Sequence, residues 1–277
     1  MSATTSLRAL TCGAAMPEPL DEYSKMLNAI GTQVEDYGEF VSGFKARPSE
    51  KDSSYFLPLA LRSVMEASCS GVLARIDPIR VMYAAKAQLS PSYDKTVQQG
   101  SSLKWDGDMV IKEKEKPADS VGATEKNSST APPIPLIASW DPKLGREKIP
   151  RAIFSLNMYE VLWNPAHARF TDWLVTSNSD AVLFRELAAL HPTQVRDFFT
   201  VKGSKLYSEL SKGIHPEFIV RRQAEFDAQT LVELTARTIS WVTQMAILTH
   251  FSSICNAGID HATMSGHVKL IEGVFIQ

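Results

Sequence analysis

The sequence predicts an all-α protein, a helical bundle divided by a long, partly mobile insertion with room for a small β-hairpin. Three observations predict it. From Leu20 onward, apolar residues recur in steps of three and four, the period of one helix face. A denser stretch, Leu57 to Asp77, has few polar positions and reads as a central helix. Phe226 to about Cys255 is the longest apolar-periodic run in the chain. Residues 91–150, by contrast, hold the charge run KEKEKPADSVGATEKNSST followed by APPIPLIASWDP and show no sustained period. The expected organisation is a flexible N-terminus over 1–18, a first bundle part over 19–90, an insertion or linker over 91–150 and a second bundle part over 151–277.

The first helix follows Pro17 and Pro19, its stripe drawn by Tyr23, Met26, Leu27, Ile30, Val34, Tyr37, Phe40, Val41 and Phe44. The polar break ARPSEKDSS separates it from the central helix. Asp77 before Pro78 is an N-cap and first-turn pair, so a third helix should start there and run to about Leu89. Leu103 to Lys112 and Leu136 to Trp140 are the tracts that could pair as the hairpin. Beyond Ile153, helical patterns are loose around Phe154 to Trp163 and Phe170 to Val175, clearer over Asp180 to Leu190, and short over Thr193 to Phe199 and Ser204 to Lys212. The last long helix carries Leu231, Leu234, Thr238, Val242, Met245, Leu248 and Phe251 on one stripe. The tail HVKLIEGVFI fits a strand or a docked helix equally well.

Composition excludes several classes. At 277 residues, 44% hydrophobic and 22% charged, the chain has the make-up of an ordinary globular protein and can bury a large core. A net charge of -2 argues against a surface built throughout to neutralise phosphates. Cys12, Cys69 and Cys255 share neither disulfide nor zinc spacing, so a reducing, cytoplasmic setting is expected and no metal site. The start lacks the pattern of a secretory signal, and no window is apolar enough to suggest a membrane span. GxxxxGK[ST], GxSxG and HExxH motifs are absent, and no cofactor is expected. Trp163, Trp173 and Trp241 read as core anchors.

Four groupings could carry chemistry. His215 stands between Gly213 and Pro216 in LYSELSKGIHPEF, at a helix end whose carbonyls would raise imidazole basicity. It serves either as a capping group that closes a turn or as a functional contact. Arg62 and Glu66, at i and i+4, face one side of the central helix as a fork held by a carboxylate. If they lie inside, Ser208, Ser211 and His215 are natural partners to share the cost of burial; at the surface the pair is worth little. Arg185 and His191 have five residues between them, the spacing of metal-independent ribonucleases in which a His moves a proton at a ribose hydroxyl and an Arg holds the phosphate. Arg221 and Arg222 could contact phosphate or open a solvated helix.

Two segments, LRSVMEASCSGVLARIDPIR at 61–80 and YSELSKGIHPEF at 207–218, resemble the HEPN-like helical superfamily of prokaryotes, especially members found among phage-defence genes. The first resembles its "LR, two or three residues, E" helix and the second its "LS, two residues, [IV]HP" turn. The resemblance implies an all-helical, often dimeric bundle that either cleaves RNA or serves a nuclease, nucleotidyltransferase or ATPase partner. Carried over by position, Arg62, Glu66, Ser211 and His215 would share one polar cluster. The chain departs from the ribonuclease pattern where an Arg should precede the histidine. Ser208, Glu209 and Leu210 stand there instead.

The leading expectation is therefore a non-catalytic or degenerate subunit of a bacterial antiviral complex, binding an effector nuclease or ATPase subunit, with a homodimer of its own copies as a second partner to test. The alternatives are a metal-independent ribonuclease toxin, which would take RNA as substrate, and a DNA-binding accessory module. No membrane partner is expected.

Overall fold

The computed structural model describes residues 1–14, 21–79, 81–82, 85, 153–154, 158–177, 179–212 and 226–276. Among these every regular element is helical, as the periodicity predicts. The tracts assigned to a hairpin, the whole of 91–150, His215, Arg221 and Arg222 lie outside the described residues.

Helix α1, Ala3–Cys12, occupies a segment the sequence assigns to a flexible terminus. That expectation is corrected over these residues. Thr4, Ser6 and Thr11 are buried and mask the apolar period, yet they cost little inside because their hydroxyls bond locally. Ser6 donates to the Ser2 carbonyl at 2.9 Å and Thr11 to the Leu7 carbonyl at 2.8 Å. Leu7 and Leu10 are fully buried, each contributing about 2 kcal/mol of transfer free energy. Ser2 caps the helix start, and Gly13, at φ 85, ends it in a conformation that suits glycine.

Helix α2, Glu22–Lys45, is capped by Asp21, whose carboxylate accepts from the Ser24 amide at 2.7 Å. Gly31 and Gly38 face α1, where a Cβ would stand 2.9 Å from Arg8 Nε and 3.2 Å from Thr4 Cγ2. Arg8 reaches across to Glu35 at 3.1 Å and to Asn28. Helix α3, Lys51–Ile76, starts six residues before the sequence reading places it, so Pro58 lies inside it rather than in its first turn. α2 and α3 pack along their lengths as an antiparallel hairpin. By length and composition alone α3 could cross a membrane, but 72% of its most apolar window is buried inside the protein, as in a core helix. Helical backbone at 78–79, 81–82 and 85 follows Asp77.

The second half replaces several expected short helices with longer ones joined by π-helical turns. Tyr159–Trp163 runs into α4, Asn164–Ser177. Helix α5 is Val182–Ala188, and α6, Pro192–Asp197, continues through the π turn Phe198–Lys202 into α7, Gly203–Lys212. A π turn inserts an extra residue and shifts the phase of the apolar pattern, so no single 3.6 period joins the two sides. Helix α8, Ala228–Thr249, is the hub: Leu231, Trp241, Val242, Met245 and Leu248 are wholly buried, and it packs on α1, α3, α5 and α7. Helix α9, His261–Ile271, ends in the π turn Glu272–Ile276, which settles the tail as helical. The buried Glu272 carboxylate accepts from the Leu183 amide at 2.7 Å, a negative charge at the start of α5.

Trp163 and Trp241 are wholly buried, as expected of core anchors. They stack with Phe154 and Phe199 at ring separations of 5.5 to 6.1 Å. Gly203 lets α7 press onto Trp241, whose ring would lie 2.6 Å from an added Cβ.

Candidate functional site

The pair read on the central helix is formed and closed. Arg62 Nε donates to Glu66 Oε1 at 3.1 Å, with the two side chains 21% and 24% exposed. Such a pair is neither a wet surface bridge nor a dry one, and its strength rests on its third member, Tyr207 of α7. The Tyr207 hydroxyl donates to Glu66 Oε1 at 2.7 Å and accepts from Arg62 at 2.5 Å. The guanidinium carbon also sits 4.5 Å from the centre of the Tyr207 ring. Burial, and then the Glu66 carboxylate, push the phenol up to about 12, so the hydroxyl stays protonated and serves as a donor. Two stretches 141 residues apart are thus latched together.

The partner differs from the expected group. Ser208 is exposed, and Ser211 donates to the Tyr207 carbonyl one turn back at 2.7 Å, bracing α7 rather than entering the latch. The signal that could have found Tyr207 is its place in the quoted stretch four residues before Ser211, on the same helix face. α7 is held from its other side too. Glu209 takes both arms of the Arg237 fork from α8, at 2.9 and 3.2 Å.

Arg185 and His191 do not meet as a pair. Arg185 is exposed on α5, and His191 caps the following α6. The His191 ring lies 2.8 Å from the Thr193 hydroxyl, while Gln194 Oε1 accepts from the His191 amide at 3.2 Å. Its place before Pro192 accounts for the histidine without chemistry.

A second polar node went unread. Arg75 is wholly buried and no carboxylate touches it among the described residues. Its guanidinium donates to the carbonyls of Asn256 at 2.9 Å and Leu10 at 3.0 Å and to the Thr249 hydroxyl at 2.6 Å. The last turns of α1, α3 and α8 converge on it, and the Leu10 carbonyl at the end of α1, the Asn256 carbonyl in the loop after α8 and the Thr249 hydroxyl supply the partial negative charge that an acid would otherwise provide. His250, the C-cap of α8, completes the node. Its Nε2 lies 2.9 Å from the Leu10 carbonyl and must carry the proton, leaving Nδ1 to accept from Arg75 and from the Ile259 amide, both at 3.3 Å. Burial, then the Arg75 charge, push this imidazole down to about 3.

Other chemistry finds little footing. Burial drives the Cys12 thiol up to about 11 and raises Cys69 and Cys255 as well, which suppresses thiolate reactivity. Among the described residues no three His, Cys, Asp or Glu side chains gather as a metal site. A cleft between the end of α1 and the start of α2, lined by Arg8, Cys12, Ser24 and Asn28, measures about 10 Å³, room for roughly one water. Comparisons with protein-family models, with curated proteins and with solved structures find no match to this chain.

Proposed function

We propose that this chain is a non-catalytic, HEPN-like helical subunit of a bacterial antiviral defence complex, acting in the cytoplasm by binding an effector nuclease or ATPase subunit. One observation supports the reading: the Arg and Glu of the first resembling segment are engaged by each other and by Tyr207. Arg62 Nε donates to Glu66 Oε1, the guanidinium also donates to the Tyr207 hydroxyl and lies over that ring, and the hydroxyl donates to the same carboxylate oxygen. A phosphate-gripping Arg needs a free fork, and two of the three nitrogens of this one are already held.

The test is direct. Purified protein incubated with total RNA in the presence of a chelator should leave the RNA intact, and tagged protein expressed with its genomic neighbours should recover one of them in fixed stoichiometry. Metal-independent cleavage that is lost in His215→Ala and kept in Arg185→Ala would replace this reading with a ribonuclease.

A further inference from the structure

Most of the exposed apolar side chains among the described residues are scattered, but three gather on the outer face of the α2 and α3 hairpin, beside the partly buried Phe44. Phe40 is 60% exposed, Phe56 53% and Leu59 44%. Phe44 stacks on Phe56 with ring centres 6.2 Å apart, which sets the register of the two antiparallel helices. One turn back along α2 is Phe40 and one turn on along α3 is Leu59, so these two lie level with each other beside the stacked pair. The α3 part of this face continues through Ser63 to Glu66 at the edge of the latch, on the outer side of the helix.

Among the described residues nothing covers Phe40, Phe56 and Leu59, and burying each would contribute about 2 kcal/mol. A second feature shares the surface. Gly43, one turn beyond Phe40, is an interior helix residue with nothing within 4 Å of where a Cβ would stand. Its bare backbone admits close approach from outside.

The rim identifies the visitor. Asp36 lies one turn before Phe40, Glu39 one turn before Gly43 and Asp52 one turn before Phe56; all three are exposed and enter no ion pair among the described residues. Lys51 is the counterweight on this side, and Arg47 is already paired with Glu50 at 2.9 Å. An acidic rim repels nucleic-acid phosphates. A two-fold contact between copies through this patch would lay one acidic rim on the other.

We infer that the outer face of α2 and α3, centred on Phe40, Phe44, Phe56 and Leu59, docks an amphipathic helix of a protein partner that presents aliphatic anchors flanked by Lys or Arg. This rests on the proposed role as a binding subunit and gives that role its surface. Phe56 and Leu59 act as the anchors and the carboxylates set orientation and association rate.

The experiment uses the full chain and a labelled helical probe peptide of about 18 residues, with Leu at i, i+3, i+4 and i+7 and Lys elsewhere; its control keeps the Leu pattern and replaces Lys by Glu. Fluorescence anisotropy should show the Lys peptide binding and the Glu peptide not. Phe56→Ala with Leu59→Ala should weaken binding about tenfold or more. Asp36→Lys with Glu39→Lys should weaken it and flatten its salt dependence. The charge variant should keep the parent's melting temperature because Asp36 and Glu39 are exposed, and the Phe56→Ala, Leu59→Ala variant, which loses the stack on Phe44, should keep the parent's helical circular dichroism at the assay temperature. Equal binding of the two peptides, or binding unchanged in Phe56→Ala with Leu59→Ala, overturns the inference. So does a concentration-dependent dimer that the same pair of substitutions abolishes, which would make a second copy the occupant. RNA cleavage by the purified protein would sink the non-catalytic reading and leave the peptide result standing; peptide failure with intact RNA would do the reverse.

Discussion

Lowering the pH should destabilise this protein through His250. His250 is held neutral by its surroundings: a proton added to Nδ1 would face the Arg75 guanidinium and the Ile259 amide, both already pointing at that nitrogen from 3.3 Å. Its folded value, about 3, lies well below the 6.5 of a free imidazole. Between these two values the unfolded chain binds a proton that the native protein refuses. The contribution is therefore whole above pH 6.5 and is lost progressively as the pH falls toward 3. Each unit in this window is worth about 1.4 kcal/mol. At pH 5 the loss comes to about 2 kcal/mol before screening, and to about 1–2 kcal/mol once the partly exposed edge of the ring is allowed for. Urea unfolding at pH 7.5 and pH 5, run beside His250→Gln, isolates the effect. Glutamine can donate to the Leu10 carbonyl and accept from Arg75 but cannot titrate, so the stability gap between parent and variant should shift by that amount across the two conditions. A constant gap, or a His250 ring signal that titrates near 6.5 by NMR, would refute the tautomer and the node built on it.

Two glycines predict opposite outcomes. Gly43→Ala meets open space in a helix interior and should raise stability by about 0.5–1 kcal/mol, read as a higher melting temperature. Gly203→Ala would set a Cβ 2.6 Å from the Trp241 ring, which is wholly buried and donates to the Phe199 carbonyl at 3.2 Å, so it cannot retreat. A loss of about 1–3 kcal/mol in denaturant unfolding is expected, with a changed tryptophan emission.

What was legible in the sequence follows from what a one-dimensional pattern can carry. α2, α3 and α8 were readable because each keeps one apolar period over many turns, and Arg62 and Glu66 because four residues on a helix fix a shared face. α1 was hidden because its buried Ser6 and Thr11 bond to their own backbone and Thr4 to the Ser2 hydroxyl, which periodicity cannot see. α6 and α7 read as separate helices because the π turn at Phe198–Lys202 changes the phase between them. The start of α3 was misplaced because Lys51 to Ser54, the end of the polar break, form its first turn and carry no apolar signal. The latch was half readable: its two charges showed, while the choice of Tyr207 over Ser208 and Ser211 depends on how α7 is rotated by its contacts with α8. The Arg75 node could not be read at all, because its acceptors include two backbone carbonyls, one at a helix end and one in a loop, that no residue type announces.

α3 and α7 are clasped by a hydroxyl, a carboxylate and a guanidinium that bond one another. A double-mutant cycle between Glu66→Gln and Tyr207→Phe, followed by urea unfolding, measures that clasp. Phenylalanine keeps the ring over Arg62 and removes only the hydroxyl that bonds Glu66 at 2.7 Å. The account predicts that the two losses fall short of additive by about 1 kcal/mol. Losses that add to within about 0.3 kcal/mol would mean that Tyr207 and Glu66 act independently and would contradict it.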